Sequence, residues 1–577
     1  MTRAYFLLAW SLILLCGPAM AAETRPAAAQ PAPPPCTLTV ADTMEKVFRD
    51  EPSSRPRADR LVIETARNEV EGIQLVVAPP GKEDLRGLTV DVTPLQRITD
   101  EQSPRAATRG LEAAKIPALN VNWNLVGYVQ TEQPNYPVRK VGWWPDPLLS
   151  DRRFDVKAGQ VQPVWVNVRV PADAPAGTYR GNVVVRLPDG QSYSVPLEVR
   201  VWDFAIPKQQ HLETCFPLRP GEFQQFYKLK KLPIEMYEQW MDFCLAHRIS
   251  INLCDWPDFN RDMERLVARQ LDGGGSAFCL AYAWFTQGKP EDRQKHNAEI
   301  TGQIKRVYDR AKGRGWIPRA YICCHDEIGK EQFTFAHELY GDLKKAMPDL
   351  RLMQTFYKDD PIPALDDVLD IWAPVTARYR PAEFQAQQAK GDGVWWYVCC
   401  GPGKPFANLM IEWPAVDHRV LLWQSWKYHV DGFLYWGLNV WRDNMKGDRR
   451  WPEVPWNPAT FRNDAGKAHN GDGQLIYPGP DRTPLSSIRL ENLRDGIEDY
   501  DYFWLLRDAV AQLKKRDAAK HLALIAEAEK ALAVDEAVVK DMTHFTDDPK
   551  TLRRARAALA DLIQRAQAAL QSSRGIP

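Results

Sequence analysis

Short apolar runs separated by glycine and proline turns fill the first part of the chain. Four segments carry this pattern: 61–79, 161–171, 173–187 and 193–204. Strands of this length, at intervals of roughly 8–12 residues, are typical of two packed sheets. We therefore predict a β-sandwich over residues 37–206. In this interpretation Trp143-Trp144-Pro145 falls in a long irregular insertion.

The pattern changes at about residue 207, where continuous apolar runs begin to alternate with helical stretches. The predicted strands are 212–218, 248–256, 277–284, 319–327, 351–356, 370–375, 393–400 and 432–441. The predicted helices are 222–246, 291–314, 331–346, 363–368, 381–390 and 415–429, and the connection 257–276 stays unassigned. Eight strands with helical connections predict a (β/α)8 TIM-type barrel over 207–483. A doubly wound open sheet is the alternative, but no glycine-rich phosphate loop follows any strand.

The last segment, 484–577, is predicted to be helical. Apolar residues recur there at spacings of three and four: Leu490, Leu493, Ile497, Tyr500 and Trp504. This spacing places them on one face of an amphipathic helix that packs against the rest of the molecule. The whole chain is thus predicted to be multidomain.

Residues 1–22 resemble a signal peptide, with Arg3, a short apolar run and Ala19-Met20-Ala21 as a cleavage pattern. A Pro/Ala linker follows at 23–36. No later run is long enough for a transmembrane helix. We expect an exported protein, periplasmic or extracellular, and a lipid anchor at Cys16 is disfavoured because Leu15 precedes it.

Composition narrows the range of partners. Lys+Arg and Asp+Glu are both 74, so nothing in the charge balance favours nucleic acid or an anionic membrane. Ten cysteines in 577 residues are too few for a disulfide scaffold. We interpret the adjacent pairs Cys323-Cys324 and Cys399-Cys400 as small buried hydrophobic residues.

The candidate chemistry lies where predicted strands end. Asp326-Glu327 closes the fourth predicted barrel strand, and charged residues are seldom left there without a partner or a task. Paired carboxylates at a barrel mouth suit glycoside hydrolysis. Adjacent side chains leave a strand on opposite sides, however, so these two poorly suit opposite faces of one glycosidic bond. One acid/base and one residue that orients a substrate nucleophile, such as a 2-acetamido group, fit better.

The tryptophans support a carbohydrate ligand. Ten of the 21 fall within residues 372–456, and indole rings stack on the apolar faces of sugars. Trp423 and Trp426, on a predicted helix, are interpreted as core. The candidates near strand ends are Trp284, Trp372, Trp436 and Trp441, with Tyr397 and Asn439 as partners for an acetamide or hydroxyls.

Metal and cofactor chemistry find no support in the motifs. His337-Glu338 begins a zinc-protease pattern, but Gly341 stands where the second histidine should be. His325 is predicted to be a hydrogen-bonded neighbour of the acids in the substrate site, because no second histidine clusters with it. We predict neither a metal nor a cofactor.

Several motifs together resemble glycoside hydrolase family 123. They are the His325-Asp326-Glu327 motif, GFLYWGLNVW (432–441), the long segment 471–502, ARNEVEGIQ (66–74) and APAGTYRG (174–181). The similarity extends over about residues 38–510. It implies a sandwich followed by a catalytic barrel, and retaining exo-hydrolysis of β-linked N-acetylgalactosamine assisted by the substrate acetamide. By motif position, Glu327 would be the general acid/base and Asp326 would orient the acetamide nitrogen.

Two alternatives stay open. The same fold could hydrolyse another β-hexosaminide or a sugar without an acetamide. The chain could also be a non-catalytic glycan-binding surface protein. In each case the expected partner is a carbohydrate, with terminal β-linked N-acetylhexosamine as the first choice. Oligomeric state is not predicted.

Overall fold

The computed structural model describes residues 36–52, 55–98, 114–253, 261–441, 459–463 and 465–572. The predicted signal peptide lies outside these residues, as does the predicted linker apart from Cys36. Within the described part of the chain, no helix is long and apolar enough to cross a membrane. A β-rich N-terminal region, an eight-stranded parallel sheet and C-terminal helices follow one another along the chain.

In the described residues, the N-terminal region contains two sheets. Its strands are β1 (Thr37–Ala41), β2 (Leu61–Arg67), β3 (Val70–Ala78), β4 (Leu85–Val92), β5 (Leu95–Arg97), β6 (Lys115–Ile116), β7 (Val121–Gln130), β8 (Trp143–Leu149), β9 (Phe154–Val156), β10 (Gln162–Arg169), β11 (Gly177–Arg186) and β12 (Ser192–Ala205). One sheet has the order β1-β3-β10-β7-β8. The other has the order β2-β12-β11-β4-β9, and β5 and β6 attach to it through β11.

The alternation of side chains along β10 explains how the two sheets pack. Val164, Val166 and Val168 are fully buried in a core that also contains Leu197 of β12. Side chains two residues apart lie on the same face of a strand, so one face of each sheet supplies this shared core. The predicted β-rich region is confirmed.

The opposite face of the first sheet packs on the rest of the molecule. Trp165 of β10 is fully buried and clusters with Val126 of β7, Ala415 and Ile488. The last two residues belong to the barrel and C-terminal regions, so this sheet has an apolar face on each side.

The prediction for Trp143-Trp144-Pro145 was wrong. These residues begin β8, and Pro145 is paired with Tyr128 of β7. Proline argues against a central strand because it has no N–H to donate. Since β8 is the edge strand of its sheet, this missing donor is tolerated.

All eight predicted barrel strands are confirmed. They are β13 (Glu213–Pro217), β14 (Ile251–Asn252), β15 (Phe278–Tyr282), β16 (Ala320–Cys323), β17 (Arg351–Phe356), β18 (Ile371–Pro374), β19 (Gly393–Val398) and β20 (Gly432–Tyr435). They form one parallel sheet with the order β14-β13-β20-β19-β18-β17-β16-β15. The last strand thus pairs with the first, which an open doubly wound sheet would not show. Over the described residues only β14 and β15 are consecutive but unpaired, so the barrel is nearly closed.

Helices lie in the connections between these strands. They are α1 (Pro220–Phe226), α2 (Ile234–Ala246), α3 (Arg261–Asp272), α4 (Pro290–Gly313), α5 (Phe333–Ala346), α6 (Ile362–Leu365), α7 (Pro381–Lys390) and α8 (Ala415–Lys427). Helices are present in all six predicted stretches, but 222–246 is divided into α1 and α2. The helix α3 occupies the connection that the sequence left unassigned.

The barrel strands are apolar on both faces because both faces are covered. Trp395 points inward and meets Tyr321 edge to face at 5.0 Å between ring centroids. Trp396 points outward, and its indole N–H donates to Ser425 Oγ of α8 at 3.0 Å. This double burial accounts for the continuous apolar runs in the sequence.

After β20, the described residues contain four short strands and three helices. They are β21 (Thr460–Arg462), β22 (Ala468–Asn470), β23 (Tyr477–Pro478), β24 (Pro484–Leu485), α9 (Ile488–Asp517), α10 (Leu522–Leu532) and α11 (Pro549–Ser572). Ser487 caps α9 by accepting a hydrogen bond from the backbone N–H of Leu490 at 3.1 Å. The predicted C-terminal helical segment is confirmed.

A buried ionic network joins the three parts of the molecule. Arg419 of α8 is fully buried and pairs with Glu71 of β3 and with Asp495 and Asp499 of α9. Arg556 of α11 also pairs with Asp499, at 2.8 Å. The N-terminal sheets, the barrel and the last helices therefore share one set of buried charges.

Candidate active site

A cavity of about 290 Å³ opens at the end of the barrel where the strands finish. It is lined by Cys215, Pro217, Arg219, Asn252, Tyr282, Trp284, Cys323, Cys324, Asp326, Met353, Thr355, Leu434 and Trp436. Larger depressions exist elsewhere, including one of about 340 Å³ between the N-terminal sheets and the barrel. The barrel cavity contains the predicted acid Asp326, and it lies at the strand ends where barrels carry their functional groups.

Asp326 and Glu327 lie in the turn that follows β16. Glu327 has a φ of 44°, in the left-handed region that non-glycine residues seldom occupy. Thr355 of β17 holds this turn, because its hydroxyl donates to Asp326 Oδ1 at 2.7 Å and accepts from the Glu327 N–H at 3.1 Å. Because these residues form a turn, their side chains do not leave a strand on opposite sides. Both acids stay at the mouth because one threonine binds both residues.

Tyr397 fixes the carboxyl of Glu327. It lies in β19, and its phenol donates a hydrogen bond to Glu327 Oε1 at 2.5 Å. The sequence predicted Tyr397 as a partner of the substrate, whereas here its hydroxyl contacts the candidate acid.

The surroundings of Glu327 favour its protonated form. The carboxyl remains accessible from solvent, but desolvation by the protein atoms around it raises its pKa. The hydrogen bond from Tyr397 lowers the pKa of this carboxyl, and the charge of Asp326 raises it again. The net result is a raised pKa, so Glu327 keeps its proton to higher pH than an ordinary glutamate. A general acid needs this property.

His325 packs between aromatic rings beside the acids. Its imidazole stacks on Phe285 at 4.2 Å between centroids and meets Trp284 edge to face at 4.9 Å. Burial lowers the pKa of His325, which favours the neutral ring. Trp284 itself is 45% exposed and lines the cavity, and its role in ligand binding stays a prediction.

Trp436 forms the opposite part of the wall, and a buried aspartate holds it. Its indole N–H donates to Asp472 Oδ1 at 2.8 Å, and Tyr435 donates to the same oxygen at 3.1 Å. The Arg219 guanidinium lies 5.6 Å from the Trp436 ring. Burial raises the pKa of Asp472 to about 6.

Asn439 supports this wall from behind. Its side-chain oxygen accepts from the Arg219 N–H at 2.8 Å, and its amide donates to the Arg219 carbonyl at 3.1 Å. The fully buried Asn439 thus holds the chain that follows β13 and does not line the cavity.

Two predicted ligand tryptophans are not at the cavity. Trp372 is fully buried and its indole donates to Asp392 at 2.9 Å. Trp441 is 1% exposed and donates to the Ile476 carbonyl at 3.0 Å. Both belong to the core, so neither can stack on a sugar. The position of a tryptophan near a strand end does not show on which side of the barrel wall its indole lies.

Three residues of the site were missed from the sequence. Thr355 and Arg219 lie at the ends of predicted strands, which is the same kind of position that indicated the other candidates. Asp472 lies in the segment 471–502 that carried the family resemblance. No group of three or more His, Cys, Asp and Glu that could hold a metal occurs in the described ranges.

Family comparisons give two matches. The catalytic domain of glycoside hydrolase 123 matches residues 282–506, and the glycoside hydrolase 123 N-terminal domain matches residues 102–187. The first match contains Asp326, Glu327 and Tyr397. Together the two matches span more than half of the chain, in the order β-rich region and then barrel. A carboxylate pair at a barrel mouth is the arrangement of a glycosidase, and the chain belongs to glycoside hydrolase family 123.

A comparison with solved structures supports the fold. A family 123 glycoside hydrolase from Clostridium perfringens, analysed for glycolipid glycan hydrolysis, has a TM-score of 0.67 at 13% identity, with 93% of this chain and 100% of that chain covered. An FMN-binding β-glucuronidase from Faecalibacterium prausnitzii has a TM-score of 0.30 at 12% identity, covering 82% of this chain and 61% of that one. No curated protein matches the chain.

Proposed function

We propose that this glycosidase is a retaining, exo-acting β-N-acetylgalactosaminidase in which the substrate's 2-acetamido group is the nucleophile. The observation that carries the proposal is the turn that presents Asp326 and Glu327 together, bound through Thr355. Two acids this close in one turn suit a division of labour in which the substrate supplies the nucleophile. The family membership and the family 123 hydrolase from C. perfringens support a glycan substrate.

Glu327 acts as general acid and then as general base. In the first step its carboxyl protonates the glycosidic oxygen, and the acetamide oxygen attacks the anomeric carbon. The bond from this carbon to the glycosidic oxygen breaks, the alcohol departs and an oxazolinium ion forms. The raised pKa of Glu327 keeps the needed proton on it. In the second step the carboxylate takes a proton from the water that attacks the anomeric carbon and opens the oxazolinium ring. Two inversions at the anomeric carbon give retention.

Asp326 orients the acetamide. Its Oδ1 already accepts a hydrogen bond from Thr355, which leaves its second oxygen to accept the acetamide N–H. A carboxylate at this nitrogen stabilises the positive charge that develops as the oxazolinium forms. Trp284 and Trp436 are the indoles that we assign to the sugar faces, because both line the cavity.

The size of the cavity supports exo-action. Its volume of about 290 Å³ is at the low end for ligand sites, which usually measure roughly 300–1,000 Å³. One terminal sugar suits such a space better than an internal segment of a glycan. We further propose that the barrel is a closed (β/α)8 barrel of the TIM type, and that residues 1–22 direct export.

The test uses two aryl β-N-acetylgalactosaminides, one with an acidic phenol as leaving group and one with a weakly acidic phenol. Glu327→Gln should lower kcat by about 10²–10⁴ on the weakly acidic phenol, and by less on the acidic one, which needs little protonation to leave. Asp326→Asn should impair both substrates alike, because acetamide attack is needed for each. Glu536→Gln, in the exposed adjacent pair Asp535-Glu536, is the matched control and should leave both rates unchanged.

Two outcomes would redirect the proposal. A thiazoline analogue of the cyclised acetamide should inhibit competitively, and failure to bind would favour a sugar without an acetamide. Absence of hydrolysis across a panel of aryl glycosides, with binding to a glycan retained, would favour a glycan-binding protein. Full activity of both the Glu327→Gln and the Asp326→Asn variant would sink the assignment of the two acids.

A further inference from the structure

The chain contains two pairs of adjacent cysteines, and the two pairs differ in burial and in the arrangement of their sulfur atoms. Cys323 lies in the inner core of the barrel and Cys324 in the outer core, and both are buried. Their side chains thus lie on opposite faces of the barrel wall. Cys399 and Cys400 follow β19, are half-buried, and bring their Sγ atoms to 3.9 Å from each other. The prediction of small buried hydrophobic residues fits the first pair and not the second.

The second pair borders the active site. Cys399 comes two residues after Tyr397, whose phenol donates to Glu327. The backbone N–H of Cys399 donates to the Gly401 carbonyl at 2.8 Å. The charge of Glu327 also acts on the Cys400 thiol, so the sulfur lies within electrostatic reach of the candidate acid.

We propose that Cys399 and Cys400 are a thiol–disulfide site at which a small disulfide oxidant reversibly reduces the activity of the hydrolase. The effect on activity rests on the proposed function, whereas disulfide formation does not. The site needs no further residue, because the two sulfur atoms already face each other. An exported chain would also meet an oxidising compartment.

The chemistry balances with one small disulfide. The Cys400 thiolate attacks one sulfur of the oxidant, forms a mixed disulfide and releases the first small thiolate. The Cys399 thiol then loses its proton and attacks Cys400 Sγ, which forms the Cys399–Cys400 bond and releases the second thiolate. Two protein thiols lose two electrons, the oxidant gains them, and two protons pass to the released thiolates.

The local contacts favour this order of attack. The contact between the two thiols lowers the pKa of Cys400, which makes Cys400 the attacking group. A bond between neighbouring residues joins Cα atoms only about 3.8 Å apart, below the usual range of about 4.4–6.8 Å. Such a disulfide is strained and easily reduced again, as a reversible site requires.

Ring closure should act through Tyr397. The new ring draws together two residues that continue directly from β19, so the tyrosine two positions earlier shifts from Glu327. Loss of a hydrogen bond to a catalytic carboxyl predicts a fall of about tenfold in kcat/KM.

The experiment treats the purified chain with oxidised glutathione and then with dithiothreitol. Peptide mass analysis should show the peptide with residues 399–400 lighter by two hydrogen atoms after oxidation, and restored after reduction. Hydrolysis of an aryl β-N-acetylgalactosaminide should fall by about tenfold and then recover. Cys400→Ser should lose this sensitivity, and Cys244→Ser, at a buried cysteine of α2 that does not line the cavity, should keep it.

Any one of three results would overturn the proposal. The first is a stable glutathione adduct at Cys400 without ring closure, and the second is a disulfide that leaves the rate of hydrolysis unchanged. The third is sensitivity to oxidation that survives in Cys400→Ser. If no aryl glycoside is cleaved, the proposed function fails. The mass analysis still decides in that case whether the disulfide forms.

Discussion

Two neighbours of Glu327 act on its protonation in opposite directions. The hydroxyl of Tyr397 donates to its carboxyl and lowers the pKa, while the charge of Asp326 raises it. Desolvation is the largest influence and leaves the pKa raised overall. The pH at which the enzyme loses its general acid is therefore set by residues that can be changed one at a time.

The pH dependence of kcat/KM should shift in opposite directions for two variants. Deprotonation of Glu327 governs the alkaline limb, because only the protonated carboxyl can donate. Tyr397→Phe removes a contact that lowers the pKa of Glu327, so this limb should move to higher pH. Asp326→Asn removes a charge that raises the pKa, so the limb of its residual activity should move to lower pH.

A second tyrosine–carboxylate pair serves as the control for this measurement. The Tyr308 hydroxyl donates to Asp349 away from the barrel mouth. Tyr308→Phe should leave the alkaline limb where it is in the unchanged chain. Shifts of the same sign in Tyr397→Phe and Asp326→Asn would show that Glu327 is not the group that titrates.

Among the elements, strands β20 and β19 are in close contact where a glycine of β20 lies against an indole of β19. Gly432 begins β20 and is paired with Trp395 of β19. A Cβ added at Gly432 would overlap the Trp395 ring. Gly393, the first residue of β19, is different, since the nearest atom to its added Cβ is Ile371 Cγ1 at 3.6 Å.

Gly432→Ala should destabilise the barrel by about 1–3 kcal/mol, because the indole must move within a packed interior. Gly393→Ala is the matched control, and it should change stability by less than about 1 kcal/mol because the methyl group fits. Urea unfolding followed by tryptophan fluorescence measures both. Equal stabilities of the two variants would contradict the close packing of Trp395 on Gly432.

On the scale of the whole molecule, stability depends on charges that lie between its parts. The guanidinium of Arg419 compensates the negative charges of three carboxylates. These belong to Glu71 from the first sheet and to Asp495 and Asp499 from α9. A buried carboxylate without a partner is far more costly than a buried pair. This network therefore makes the sheets, the barrel and the last helices depend on one another.

Arg419→Met should destabilise the chain by about 3–5 kcal/mol, because methionine keeps much of the volume but leaves buried carboxylates without their partner. Thermal unfolding followed by circular dichroism checks this expectation. Lys305→Ala, which removes an exposed ion pair with Asp309 on α4, should change stability by only about 0.3–0.5 kcal/mol. A loss in Arg419→Met no larger than this control would contradict the role of the network.

Much of the fold was predictable from the sequence because burial leaves a periodic pattern. Alternation in β10 marks the face that packs on the second sheet, and the continuous apolar runs in the barrel strands reflect two covered faces. The pattern failed for β8, which was predicted to be an irregular insertion, because the sequence does not show that Pro145 lies on an edge strand. It also left α3 unassigned. The predicted domain boundaries and the signal peptide stay predictions.

The sequence by itself determined the order of the elements, the family resemblance and the strand end that carries Asp326-Glu327. Each of these three properties depends on residues that are close to one another along the chain. Only the tertiary structure decided which strand-end residues face the cavity. Trp284 and Trp436 line it while Trp372 and Trp441 are buried, because the side of the wall on which an indole lies depends on strand register and on distant residues. The contacts of Thr355 and Tyr397 with the two acids likewise join separate strands, so no local pattern could predict them.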